Sequence, residues 1–218
     1  MAKKSEPDGA APRDSIDETP PPDEPTQQPP QRSSGNRPVG LSRAFEEEVI
    51  AAGQSSDLMA VLIDGANLFY AASYLNIEID YVRLLQVLTH GRRLLRAYFY
   101  TGVDPRNEKQ RGFLLWLSRH GYRVISKELV PHPDGGRKAN LHVEMSVDML
   151  RLAKYCRTIS VLSGDGHLTY ALDALGRQGV TIEVISLQSM TSDALIDLAD
   201  RYIDLANLQD DIKKRRKV

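Results

Sequence analysis

Residues 58–67 read LMAVLIDGAN. Leu58 to Ile63 is an unbroken apolar run that ends on a carboxylate, Asp64. A strand with one wet face alternates apolar and polar residues. A run that is apolar on both faces is the pattern of a strand buried inside a parallel sheet. Working outward, similar stretches recur at LLRAYFYTG (94–102), YRVISKELV (122–130), TISVLSGD (158–165) and VTIEVISL (180–187). Helical signals lie between them. Asp80 is an N-cap for YVRLLQVLTHG, with Gly91 as its stop. Asp104–Pro105 reads as a cap and first-turn proline for a helix running to about His120–Gly121. Asn140–Tyr155 has Leu141, Met145, Met149 and Leu152 on one side. Residues 167–179 form a helix closed by Gly179, and TSDALIDLADRY (191–202) is the last helix. HPDGGRK (132–138) is a polar loop. Alternating strands and helices predict an α/β, Rossmann-like three-layer sandwich with a mainly parallel sheet of about five strands.

The 218 residues suffice for one such domain plus a tail. Nine of the 12 prolines fall in residues 1–38, and TPPPDEPTQQPPQ (19–31) has no apolar side chain. Such a segment cannot bury enough surface to offset its conformational entropy, so residues 1–40 read as a disordered, acidic, Pro-rich leader. LSRAFEEEVIAA (41–52) has helical spacing, and 41–56 is taken as a short helix or linker before a domain over 57–208. Residues 209–218 form a basic tail ending KKRRKV. Residues 1–57 carry 6 basic and 11 acidic side chains and the remainder 22 and 18, so the domain is mildly basic. The single cysteine, Cys156, excludes a disulfide framework and any multi-thiolate zinc site, and reads as a small core residue. No apolar run reaches the roughly 20 residues of a membrane span, and MAKKSEPDGAAPRD has no apolar core of a signal peptide. A soluble, cytoplasmic protein is expected.

In an open α/β sheet, ligands bind at the carboxyl ends of the strands. Asp64 in LIDGAN and Asp165 in LSGDG both end strands there, each followed by glycine, which lets the chain turn and leaves the carboxylate at the rim. Two such carboxylates make a hard-cation site able to set a water against a phosphate. The plainer alternative is that both cap the helices that follow. Asn67, one turn on, suits a water or phosphate oxygen, or a turn. Ser163 and Gly164 offer a hydroxyl and an N–H at the same edge. Glu144 and Asp148 share one helix face, with His142 just before them. Asp148, between Val147 and Met149, is a partly buried carboxylate that needs a metal or basic partner. Lys138 and Asn140 stand at the mouth of that helix as substrate contacts, and Arg106, Lys109 and Arg111 are either phosphate contacts or solvated cations. The sequence has no Gly-rich dinucleotide turn, no phosphate-binding G-x-x-x-x-G-K-[ST] loop and no G-x-S-x-G elbow.

The blocks VLIDGANLFY (61–70), YFYTGVD (98–104), KANLHVEMSVDM (138–149), VLSGDGHLTYALDAL (161–175) and VTIEVISLQSMTSDALIDLADRYIDL (180–205) together resemble the NYN domain, a branch of the PIN-like nucleases, in its LabA-like form. The resemblance spans about residues 57–208. It implies a PIN-like sandwich and RNA cleavage dependent on Mg²⁺ or Mn²⁺, with a role in regulating gene expression, including circadian output. RNA is the implied partner, and regulatory protein partners or a homodimer are compatible with it. Asp64, Asn67, Asp148 and Asp165 match the family's site positions. Two positions depart: KANLH carries His142 and SGDGHL carries His167 where the family usually has aspartate. Imidazole suits transition metals better than Mg²⁺, so the changes weaken an Mg²⁺ site. Either both histidines join the ligand set, or the scaffold is a catalytically degenerate regulator that binds RNA or protein.

Overall fold

A computed structural model describes residues 58–131 and 135–215. The expected leader, the 41–56 helix or linker, the first three residues of the polar loop and the last three residues of the basic tail lie outside these residues. The central sheet has six parallel strands: β1 (Leu58–Asp64), β2 (Arg93–Val103), β3 (Tyr122–Glu128), β6 (Thr158–Leu162), β7 (Thr181–Ser186) and β8 (Arg201–Asp204). Their spatial order is β3-β2-β1-β6-β7-β8. The chain builds outward from β1 to β3, then crosses back to lay β6 on the other side of β1. The order therefore switches between β1 and β6, where an open sheet leaves a crevice at its carboxyl edge.

Because β1 is buried on both faces, its alternating side chains divide between two cores. Ala60 and Leu62 pack with Tyr98, Tyr100, Met145, Met149 and Leu152 on one side. Met59, Val61 and Ile63 pack with Leu68, Leu84, Phe99 and Leu117 on the other. One outer layer thus holds α1 (Gly65–Tyr74), α2 (Tyr81–Thr89) and α3 (Glu108–Arg119). The other holds α4 (His142–Leu152), α5 (Thr169–Gly176) and the short α6 (Asp193–Leu198). These layers realise the expected three-layer α/β sandwich. As read from the sequence, Leu141, Met145, Met149 and Leu152 are buried, and so is Cys156.

The structure corrects three expectations. The sheet has a sixth strand, because the stretch read as one helix over 191–202 divides. The helix ends at Leu198, Ala199 turns extended (φ −67°, ψ 130°), and Asp200 Oδ2 accepts the backbone N–H of Ile182 at 2.7 Å. That tether swings Arg201–Asp204 onto the edge of β7, where pairing outweighs local helical preference. The cap of α3 is Asn107, whose Oδ1 accepts the Gln110 N–H at 3.0 Å. Asp104 instead closes a tight turn onto the Arg106 N–H and pairs with Arg137 at 2.6 Å. Part of the polar loop forms a two-strand ribbon, β4 (Val130–Pro131) with β5 (Arg137–Lys138). Finally, α7 (Gln209–Ile212) is followed by a backbone bridge from Lys213 to Ile79.

Candidate metal centre

Asp64 ends β1 and caps α1. Its Oδ1 accepts the N–H groups of Ala66 (3.0 Å) and Asn67 (3.2 Å), which offsets the unpaired donors at the helix start. Asp165 follows β6 across the switch point and does the same for the short turn Gly166–Leu168, accepting the His167 N–H at 2.9 Å. Both aspartates are therefore caps, and capping spends only one oxygen of each. Their Oδ2 atoms remain turned to the crevice. Ser163 lies between them: its hydroxyl donates to Asp64 Oδ2 (3.3 Å) and accepts the Asp165 N–H (3.2 Å).

The glycines around these residues are needed for space. Neither Gly65 nor Gly166 adopts a left-handed backbone, contrary to the expectation that each frees a sharp turn. A Cβ on Gly65 would stand 2.8 Å from the Phe99 ring and from Tyr100 O. A Cβ on Gly164 would stand 2.1 Å from Met190 O and 2.7 Å from Ser186 Oγ. Side chains at these points would push the two strand ends off their neighbours.

The third wall is the start of α4. Asn140 Oδ1 accepts the His142 N–H (2.9 Å), which fixes the first turn and brings the imidazole to the crevice. His142 Nε2 lies 3.4 Å from Asp165 Oδ2 and 3.7 Å from Asp64 Oδ2. Its Nδ1 is buried with no hydrogen-bond partner. His167 places Nδ1 2.6 Å from Asp165 Oδ1, and its ring stacks with that of His142 (centroids 5.7 Å apart, 14° between planes). One ligand atom from each of His142, Asp165 and His167 lies within 4.8 Å of the others. The Asp64 carboxylate beside the ring holds the His142 pKa up; burial works against this, and the charge of Asp165 reinforces it. Burial alone would raise the Asp165 pKa, but the His167 N–H and ring and the nearby histidine charges carry it below the usual range.

Other expected site residues fall at different distances from this group. Asn67 Oδ1 accepts a hydrogen bond from Ser186 Oγ (3.4 Å) at the end of β7, so it faces the crevice from across the end of β6. Asp148 lies further along α4, outside the group with metal-ligand spacing. Its Oδ2 accepts the Tyr100 hydroxyl (3.0 Å) and its Oδ1 stands 3.9 Å from Arg151. Burial raises its pKa, and the Tyr100 and Arg151 contacts only partly oppose that. Glu144 pairs with Lys127 at 2.6 Å, and the same ammonium donates to Asn140 O. Lys138 is exposed on β5. Sequence reasoning missed Ser186 and Tyr100. Ser186 is the last residue of an apolar strand at the same edge, which is the signal that would have found it. Tyr100 carried none, because an aromatic in a strand reads as core.

The donor set itself tests the metal expectation. Two imidazoles with carboxylates suit Mn²⁺, Zn²⁺ or another transition ion better than Mg²⁺, which favours oxygen ligands. The residues fit a divalent transition metal.

A family model described as the NYN domain matches residues 58–206. The chain is 35% identical over 165 residues to the low amplitude and bright protein LabA of Synechococcus elongatus, covering 72% of this chain and 88% of that protein. A crystal structure of a protein of unknown function from Vibrio parahaemolyticus superposes with a TM-score of 0.63 at 24% identity, covering 73% of this chain and 97% of that one. The structural likeness speaks to the fold alone. Among the described residues, no helix is long and apolar enough to cross a membrane.

Proposed function

This chain belongs to the NYN domain family, and from that premise we propose that it is a divalent-metal-dependent ribonuclease whose ion is held by Asp165, His142 and His167, with Asp64 beside them. The observation that supports this most is the convergence of three ligand atoms from two elements at the switch point of the sheet. Such an ion would polarise a phosphate oxygen and lower the pKa of an attacking water. Asn67 would orient the phosphate or the water through its side-chain amide. Ser163 would fix Asp64 Oδ2 through its hydroxyl and the Asp165 backbone through the N–H it accepts. The Gly164 N–H, Asn140 and Lys138 would contact the strand, and Asp148 would act from behind through Tyr100 rather than on the ion. The preferred ion would be Mn²⁺ or Zn²⁺ over Mg²⁺.

The test is cleavage of single-stranded RNA by the full chain with Mn²⁺, Zn²⁺ or Mg²⁺ supplied separately, against Asp165→Asn. Cleavage with a transition ion and its loss in the variant would support the reading. Equal turnover by both proteins would overturn it.

A second reading has an observation of its own. His142 Nε2 stands between the two Oδ2 atoms, at the place a cation would take. On that reading the histidine substitutes for the ion, and the domain is a catalytically degenerate regulator that binds RNA or protein. Binding that is indifferent to chelator, with no cleavage in any metal, would favour it.

A further inference from the structure

We infer that α1 and the basic segment after α7 form a track for a single-stranded RNA, leading away from the candidate metal centre. This rests on the RNA reading above. Three aromatic side chains of α1 face water where a helix packed on a sheet needs none: Phe69 is 66% exposed, Tyr70 63% and Tyr74 67%. Large apolar groups left outward together mark a binding surface. Their order along the helix is directional. Asn67, Tyr70 and Tyr74 are spaced i, i+3, i+7 and share one flank, and Asn67 is the residue whose amide meets Ser186 at the crevice. The Phe69 ring meets the Tyr70 ring edge-on, centroids 5.8 Å apart. Ala72 and Ser73, three and four residues beyond Phe69, line an open pocket of about 800 Å³ at the end of the helix, and its other wall is Lys213, Lys214 and Arg215.

The route therefore starts at the crevice, passes over two touching aromatic rings, and ends at three consecutive cations. The bridge of Lys213 to Ile79 and the Lys214 N–H donated to Glu78 O (2.7 Å) hold those cations in place. The Lys213 ammonium lies on Asp210 and that of Lys214 on Glu78, in exposed pairs. Such pairs are worth little, so phosphate oxygens can replace the carboxylates. Bases stacked on aromatics with a cationic guide for the backbone is how single strands are held without sequence readout. A duplex hides its base faces and cannot use the rings. The path from Asn67 to Ser73 at the pocket is roughly 9 Å along the helix axis, so a strand of a few nucleotides reaches from the crevice to the cations. Charge complementarity and continuity with the crevice favour RNA over a protein as the occupant.

The test measures anisotropy of a labelled 12-nucleotide single strand and its duplex on the full-length protein, with chelator present so that nothing is cut. Phe69→Ala/Tyr70→Ala should weaken single-strand binding at least about tenfold. Lys214→Gln/Arg215→Gln should lower the salt dependence by about two phosphate contacts. Both variants carry exposed substitutions and should melt as the wild type does. Cleavage assayed in parallel with Mn²⁺ separates the two proposals. Tight, ring-dependent binding without cutting overturns the nuclease and leaves the track standing. Cutting with unaltered affinity in both variants overturns the track and leaves the aromatic crest to a protein partner.

Discussion

His142 Nε2 lies 3.4 Å from Asp165 Oδ2, so an imidazole stands against the carboxylate that the resemblance makes a metal ligand. The distance is right for an ion pair when the ring is protonated. It also lets both atoms turn to one ion when the ring is neutral. That duality sets the chemistry of the crevice, and most of the expected outcomes follow from it.

Restoring a carboxylate should change which ion is preferred. His142→Asp adds a negative charge about 4 Å from Asp64 and Asp165, and one charge at that separation near a protein surface is worth roughly 4 kcal/mol as an upper figure. Mg²⁺ affinity, read by calorimetry, should rise at least about tenfold relative to wild type, and the preference for Zn²⁺ should fall. An unchanged ion preference would show that His142 does not face the ion.

The metal-free protein should lose stability as it is made alkaline through the His142 titration. The folded-state pKa of His142 is raised above its ordinary value of about 6.5. Its contribution is therefore fully present below that ordinary value and is lost as pH rises through the raised one. Melting temperatures of the chelated protein across this window should fall with pH, and His142→Gln should flatten that part of the profile. Metal affinity should run the opposite way, because protons compete for the ring.

The other end of the sheet holds a buried ion pair that should be costly to break. Glu183 on β7 accepts from Arg92 Nη1 and Nη2 at 2.8 Å each and from Ser160 Oγ at 2.5 Å, and it is almost wholly buried. Burial alone would raise its pKa, yet these donors bring it below the ordinary carboxylate range. Arg92→Met should destabilise by about 3–5 kcal/mol in urea unfolding, because it removes the two-pronged partner of a buried charge and leaves the longer contact to Arg201 at 3.6 Å. Stability should also fall as acid protonates Glu183, below the ordinary range. On the proposed ribonuclease reading, RNA cleavage by the surviving folded fraction should be unaltered.

Gly164→Ala should damage the fold and the crevice together. The added methyl would stand 2.1 Å from a backbone oxygen of Met190, which cannot rotate away. A loss of about 1–3 kcal/mol is expected from such overpacking, with weaker metal binding because Asp165 adjoins Gly164. Gly176→Ala, which would touch nothing within 4 Å, is the control.

Cys156 should be silent to thiol reagents in the native state. Burial pushes its thiol up to about 12, and the thiolate is the reactive form. Modification should track global unfolding in urea. Fast native labelling would show that the end of α4 opens locally.

Much of this was legible in the sequence where burial is two-sided. Apolar runs such as Leu58–Ile63 and Thr158–Leu162 have no alternative home, and Asp64 and Asp165 at their ends mark the carboxyl edge. Arg201–Asp204 was not legible, because an edge strand keeps one wet face and its DLADRY context has helical spacing; the Asp200 contact to Ile182 that decides it is eighteen residues away in sequence. The α3 cap was misplaced because Asp104–Pro105 and Asn107 both satisfy local rules, and only the Arg137 contact, contributed by the β4–β5 ribbon, draws Asp104 elsewhere. The approach of His142 to Asp165 depends on how α4 docks across β1 and β6. Spacing along the chain cannot show that, and the family resemblance could only imply it.

The central claim is tested most directly by incubating the full-length protein with a single-stranded RNA of mixed sequence and Mn²⁺, alongside Asp165→Asn. The account predicts cleavage by the wild type, its abolition by chelator, and at least about a hundredfold loss in the variant. Intact RNA after incubation with folded wild-type protein in Mn²⁺, Zn²⁺ and Mg²⁺ would contradict it.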